Sequence, residues 1–260
     1  MAWVAVAVTV IVLTARWFSR HPEHLGGRCR PATILTPALL ALLAGLSAAG
    51  WACGLLVQEV HSEAIDQPVI RYLAGHRVAW LTTAMHGATW LGSTVVLVLF
   101  VVVAGLAVRR QVGHWAAGAQ LVLALGGAIA LNNLIKPLVG RLRPDVDPLV
   151  STVSGFAFPS GHATQTAAVA VTLALLASVF IRSRSWRVGI GSAAVSITLV
   201  VAFSRVYLGV HWPTDVFAGC ALGGLWAVLT AGALRWSGRT AAEAAPGEQD
   251  GRWATLEETG

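Results

Sequence analysis

Charge is scarce in this sequence: Asp, Glu, Lys and Arg together make up 12% of its 260 residues. A soluble domain of that length carries about twice that fraction, so a water-facing surface wrapped around one core is excluded. Lysine occurs once, at Lys136, and cysteine only at Cys29, Cys53 and Cys220. Cys53 and Cys220 fall inside apolar stretches and no two cysteines have metal-type spacing, which argues against a disulfide framework or a cysteine metal centre. HExxH and CxxC are absent, as is any clustered set of histidines and carboxylates with ligand spacing. The basic residues are scattered over short segments without interleaved aromatics, so the net charge of +6 is not the footprint of a nucleic-acid partner.

Apolar residues fill the space left by charge. They are 56% of the sequence, and the mean hydropathy is +0.69. They come in blocks of roughly the 20 residues that cross a bilayer, at 2–15, 33–57, 89–108, 115–135, 163–181, 188–203 and 216–234. The expected fold is all-α, a polytopic transmembrane bundle with a six-helix core and one extra N-terminal span. Three regions follow: residues 1–32 as an anchor and basic loop, 33–234 as the membrane domain, and 235–260 as a polar, disordered tail low in aliphatics. The first span lacks a basic start and makes a poor signal peptide.

Short loops rich in Lys and Arg stay in the cytoplasm. If residues 16–32 are inside, then 109–114, 182–187 and the tail after 234 are inside too. Those segments hold Arg16, Arg20, Arg28, Arg30, Arg109, Arg110, Arg182, Arg184, Arg187, Arg235, Arg239 and Arg252, which is 12 of the 18 basic residues. The exceptions are Arg71, Arg77, Lys136, Arg141, Arg143 and Arg205, and most of these sit in two short clusters. Segment 58–88 then lies outside and reads as a stretch that contains an amphipathic helix, around VIRYLAGHRVAWL, resting on the membrane surface.

Three polar clusters share that outer side. The first is KPLVGRLRP, Lys136 to Pro144. An arginine at a membrane boundary can simply snorkel. The only lysine of the sequence, beside two arginines within nine residues, is a stronger signal. Lys136, Arg141, Arg143 and Arg205 outnumber the nearby acids Asp145, Asp147 and Asp215, and a bound anion would resolve the imbalance: Arg offers phosphate a planar fork and Lys a point charge. The second cluster is PSGH, Pro159 to His162. Ser160 can cap the helix that follows, Gly161 lets backbone approach a ligand, and a helix N-terminus is an anion site. By itself this is also an ordinary turn. The third is SRVYLGVHWPTD, Ser204 to Asp215. His211 and Asp215 are four apart, so a helix over both places them on one face. An Asp accepting from one imidazole nitrogen fixes the tautomer and frees the other as a nucleophile; the same pair could instead staple a helix end.

Together K-x6-RP, PSGH and SR-x5-H-x3-D resemble the three signature motifs of the type 2 phosphatidic acid phosphatase (PAP2) superfamily. Lys136, Arg143 and Pro144, then Pro159, Ser160, Gly161 and His162, then Ser204, Arg205, His211 and Asp215 match without gap or substitution, and the resemblance covers roughly residues 33–234. It implies that His211 attacks phosphorus while Asp215 orients it. It implies that His162 protonates the leaving oxygen and later activates water. By the same resemblance Lys136, Arg143, Arg205, Ser160 and the Gly161 N–H hold the phosphate. No metal and no other cofactor is implied, and Asp145 and Asp147 read as solvated loop acids rather than Mg²⁺ ligands.

The expectation is therefore a phosphatase in the cell membrane, acting on a lipid phosphate or pyrophosphate at the extracytoplasmic face. Undecaprenyl pyrophosphate, phosphatidylglycerol phosphate and phosphatidic acid are the substrates the resemblance suggests, and the sequence does not choose among them or fix an oligomeric state. A phosphotransferase would use the same residues with an alcohol in place of water. A lipid-phosphate binding or transport protein would keep the cations but has no use for two histidines and an Asp. The related vanadium haloperoxidases are soluble, which the apolar spans argue against. Activity is expected to survive EDTA and to fall with vanadate, which adopts the five-coordinate geometry of phosphoryl transfer; abolition by EDTA with rescue by Mg²⁺ would return Asp145 and Asp147 to the site.

Overall fold

A computed structural model describes residues 32–60, 62–112, 115–150 and 154–243. The expected first span, at 2–15, lies outside them, as does the tail from 244 onward. Helix α1 covers Ala32–Val60 and is followed by a π-helical turn, Ser62–Asp66. Then come α2 (Gln67–Gly75), α3 (Ala79–Leu91), α4 (Thr94–Val112) and α5 (Ala116–Val139). Three more helices close the order: α6 (Gly161–Phe180), α7 (Arg184–Tyr207) and α8 (Pro213–Glu243). Six of these, α1 and α4 to α8, are long and apolar enough to cross a membrane. Spanning segments are helical because hydrocarbon offers backbone N–H and C=O groups no partners outside their own helix.

The structure refines several expectations. Segment 58–88 holds more than the one helix expected within it. It folds as the π-helical turn, α2 and most of α3, and the next membrane helix starts at Thr94 rather than near residue 89. A Trp90–Ser93 turn causes the delay, with Gly92 N–H bonded to Thr89 C=O at 3.1 Å and Ser93 N–H to Trp90 C=O at 3.0 Å. At the far end, α8 continues through residues 235–243, which hydropathy alone assigns to the tail. Five of its nine residues are Ala, Arg or Glu, good helix formers, and extending an existing helix is far easier than nucleating a new one.

Helix α6 lies at the centre and packs on α8, α7 and α5, while α1 covers the α5–α8 side. Without a hydrophobic drive between helices in lipid, close approach depends on small residues. Here the α6–α8 contact is built from Ala163, Thr164 and Ala168 on one side and Gly219 and Gly223 on the other. A Cβ at Gly223 would run into the Thr164 carbonyl, so this crossing admits none. Trp226 fills the interior one turn further along α8, fully buried, with Nε1 donating to Leu123 C=O at 3.0 Å. The core around it holds Leu39, Leu131, Ile135 and Phe158.

This packing fixes which end of the bundle carries the polar residues. The C-termini of α5 and α7 meet the N-termini of α6 and α8 there, so Lys136 and Arg205 end two helices beside the starts that carry His162 and Asp215. Arg109, Arg110 and Arg184 belong to the opposite ends of their helices. On the polar end, α3 leans on α7, where the Tyr207 hydroxyl accepts from Val78 N–H at 3.0 Å and lies 3.2 Å from Thr82 Oγ1.

Candidate active site

The site begins with a helix start. Ser160 precedes α6 in extended conformation, φ −72° and ψ 116°, and its C=O accepts from Thr164 N–H at 3.0 Å. The N–H groups of the first turn beyond it have no intrahelical acceptor. The Ser160 hydroxyl does not cap them, contrary to the expectation from sequence. It is fully buried and has no hydrogen-bond partner. The Ser160 N–H is instead committed to the backbone C=O of Asp215 at 3.0 Å, which ties the start of α6 to the start of α8. The hydroxyl is thus left unbonded at the start of α6. Nothing crowds Gly161: a Cβ there would sit at ordinary contact distance from Asn132 Oδ1, 3.7 Å away.

The end of α5 supplies the next groups. Gly140 adopts a left-handed φ of 66° and its N–H closes the helix on Lys136 C=O at 2.9 Å. Glycine reaches that conformation without a steric penalty, and the reversal turns Arg141 and Arg143 back toward the bundle. Lys136 Nζ donates to Phe156 C=O at 2.6 Å. Arg143 is strapped by backbone carbonyls: Nε to Gly155 at 3.0 Å, Nη2 to Ser154 at 3.2 Å and Nη1 to Val210 at 2.6 Å. Arg205, in the last turn of α7, donates to Thr89 Oγ1 at 2.6 Å, and its buried Nε has no partner. None of these three cations forms an ion pair among the described residues.

His211 lies before α8 rather than on it, because the helix starts at Pro213, a residue suited to a first turn whose N–H needs no acceptor. The two side chains still approach across the helix start, although His211 Nδ1 makes no hydrogen bond. His211 Nδ1 is 3.5 Å from Asp215 Oδ2, which also accepts Trp212 N–H at 2.9 Å. On the other side of the ring, Nε2 is 3.4 Å from Arg143 Nη1. Burial holds the His211 ring well below the ordinary histidine range; the charges of Lys136, Arg205 and Arg143 add to this, while the Ala157 backbone opposes it. His162, part-buried in the first turn of α6, is within electrostatic reach of Arg205, His211, Lys136 and Arg143. All three sequence clusters therefore converge on one site.

Two residues of this region carry roles that the sequence does not reveal. Arg141 reads there only as another cation to be balanced, yet it is buried and fully engaged, bridging Asp215 and Asp66. Asp66 is fully buried 75 positions away from Arg141, and a single Asp in SEAIDQP carries no signal of such a partner. Asp145 and Asp147 are exposed, and neither forms an ion pair among the described residues.

Residues 117–239 match the PAP2 superfamily. The protein is 34% identical over 183 residues to phosphatidylglycerophosphatase B of Bacillus subtilis, spanning 68% of its own length and 89% of that relative. This chain belongs to the PAP2 superfamily. Its fold matches the crystal structure of a transmembrane PAP2 type phosphatidylglycerolphosphate phosphatase from Bacillus subtilis with a TM-score of 0.63 and 31% identity, over 75% of the present protein and 92% of that one. It is also 39% identical over 111 residues to an undecaprenyl-diphosphatase of Sulfolobus acidocaldarius, covering 41% of its own length and half of that protein. The protein is a multi-pass membrane phosphatase of the PAP2 type, a hydrolase of phosphoric monoesters or diphosphates.

Burial of a neutral His211 has a consequence for stability. Its folded-state affinity for protons is depressed, so the unfolded protein binds more protons once pH drops below the ordinary histidine value of about 6.5. The His211 contribution is complete above that pH and is lost as pH falls below it toward the depressed folded value. Thermal unfolding in detergent is expected to show a stability decline below about pH 6.5 that is shallower in His211→Gln; equal slopes in the two proteins would contradict the assignment.

Proposed function

We propose that the protein hydrolyses a lipid phosphate at the extracytoplasmic membrane face through a phosphohistidine on His211. The observation that carries this reading is the environment of that ring. One nitrogen faces the Asp215 carboxylate, and the other faces Arg143 in a space ringed by Lys136, Arg205 and the start of α6. Depression by burial keeps the ring neutral near pH 7, and a proton on Nδ1 facing Asp215 leaves the Nε2 lone pair for phosphorus. Lys136, Arg143, Arg205, the free Ser160 hydroxyl and the Gly161 N–H hold the phosphate oxygens, where preorganised donors stabilise charge developing in the transition state.

In the first step an Nε2–P bond forms and the P–O bond to the lipid breaks, with His162 giving its proton to the leaving oxygen. In the second, His162 takes a proton from water as the water oxygen attacks phosphorus. The N–P bond then breaks and inorganic phosphate leaves. Phosphatidylglycerol phosphate is the first lipid to test, since the Bacillus subtilis phosphatase similar to this protein in sequence, and the one similar in structure, are named for it. The outer face is supported by the separation of Arg109, Arg110 and Arg184 from the site along the helices. In a variant lacking native cysteines, Asp147→Cys is expected to react with an impermeant thiol reagent in intact cells. Labelling only after permeabilisation would move the site to the cytoplasm.

The two histidines are separable. His211→Ala is expected to be inactive on both a lipid alkyl phosphate and p-nitrophenyl phosphate. Loss of a general acid costs about 10²–10⁴-fold and matters less for a leaving group that needs no proton, so His162→Ala should lose far more lipid than aryl phosphatase activity. It should also accumulate acid-labile label on His211. A label on His162, or aryl activity in His211→Ala, would reverse the two roles.

A further inference from the structure

The carboxylate facing His211 is held from outside its own helix. Arg141 Nη1 donates to Asp215 Oδ1 at 2.5 Å, and its Nη2 donates to Asp66 Oδ2 at 2.5 Å. Asp66 ends the π-helical turn before α2, outside the residues that match the PAP2 superfamily. Both carboxylates are fully buried and Arg141 nearly so. Thr214 completes the cluster. Its N–H donates to Asp66 Oδ1 at 3.0 Å, its hydroxyl lies 2.6 Å from Asp66 Oδ2, and Arg141 Nη1 donates to that hydroxyl at 2.8 Å. The guanidinium also stands over the Trp212 ring, 5.4 Å from its centroid.

The charge count gives this arrangement a purpose. Arg141 with Asp215 alone would be a neutral pair, and the cation would cancel much of the Asp215 field at His211. With Asp66 on the other arm of the fork, the cluster carries one net negative charge, and buried charges interact over such distances with little screening. The need for it arises during the reaction. Once Nε2 binds phosphorus and Nδ1 keeps its proton, the His211 ring is cationic. The other charged and titratable groups that face it are Lys136 from α5, Arg143 from the following loop, His162 from α6 and Arg205 from α7, none of them negative.

We infer that Asp66 and Arg141 are positioning residues of this enzyme: Asp66 balances Arg141, so that Asp215 keeps both its orientation and its charge for His211. The inference rests on the proposed role of His211 as nucleophile. It makes the segment between α1 and α2 part of the catalytic apparatus rather than a connection.

Deleting the Arg141 side chain would strand two buried carboxylates and unfold the protein, so the test uses gentler changes. Asp66→Asn, Asp215→Asn and the double variant are assayed for kcat and KM on dioctanoyl phosphatidic acid in detergent, with the folded fraction measured by thermal unfolding. Asp66→Asn is expected to lower kcat by about 10–100-fold, by analogy with the outer partners that orient metal-ligating histidines, with KM nearly unchanged. In the Asp215→Asn background the same change should cost little more, because both act through one carboxylate. Wild-type kcat in Asp66→Asn, or an equal loss in both backgrounds, overturns the inference and leaves Asp66 a structural ion. Should Asp66→Asn not fold, Arg141→Lys keeps the charge but cannot bridge both carboxylates; it should lose kcat likewise, and wild-type kcat there also overturns the inference. Full activity in Asp215→Asn would instead sink the His211–Asp215 reading itself.

Discussion

Asp215 is the residue through which the site is assembled. Its backbone carbonyl takes the Ser160 N–H, so the starts of α6 and α8 are locked together. One carboxylate oxygen takes Arg141 and the other takes the Trp212 N–H beside His211. Several distant segments therefore converge on one residue. Burial makes this stringent, because a buried carboxylate without such partners would be neutralised or would unfold its surroundings. The Gly219 and Gly223 contact with α6 serves the same end, since it lets the two helix starts approach closely enough for the Ser160–Asp215 bond to form.

Around that anchor, like charges are kept close without carboxylates to neutralise them. Lys136 and Arg143 spend their donors on backbone carbonyls, and Arg205 on Thr89. Carbonyl and hydroxyl partners hold these cations in place without pairing any of them to a carboxylate among the described residues. An anion entering this space gains from all three at once, and it finds a buried hydroxyl and a helix N-terminus already without partners. Burial is the main cause that depresses proton binding by His211, and the same field adds to it, so the cations that favour an anion also favour a neutral imidazole.

Much of this is legible in the sequence. The six spanning helices of the described residues follow the apolar blocks because span length is set locally, by hydrocarbon thickness and helical rise. Helix ends are less legible. The α3–α4 break at Trp90–Ser93 lacks a proline, and the extension of α8 into a polar stretch depends on a helix already begun. The capping role expected of Ser160 is not realised, for a tertiary reason: the turn into α6 is fixed by the Asp215 carbonyl, and the hydroxyl is left without a partner.

The sequence by itself determined the membrane bundle, the family and the convergence of three motifs on one end of it. Each of these depends on local hydropathy or on short fixed spacings. Only the tertiary structure decided which charges are spent and which are free. Arg141 and Arg143 are two residues apart and chemically identical, yet one is consumed by buried carboxylates while the other is left with carbonyls and the edge of His211. That difference comes from Asp66 and Asp215, 75 and 74 positions from Arg141. A contact at such separation is set by how helices pack, and no periodicity or spacing in the sequence encodes it.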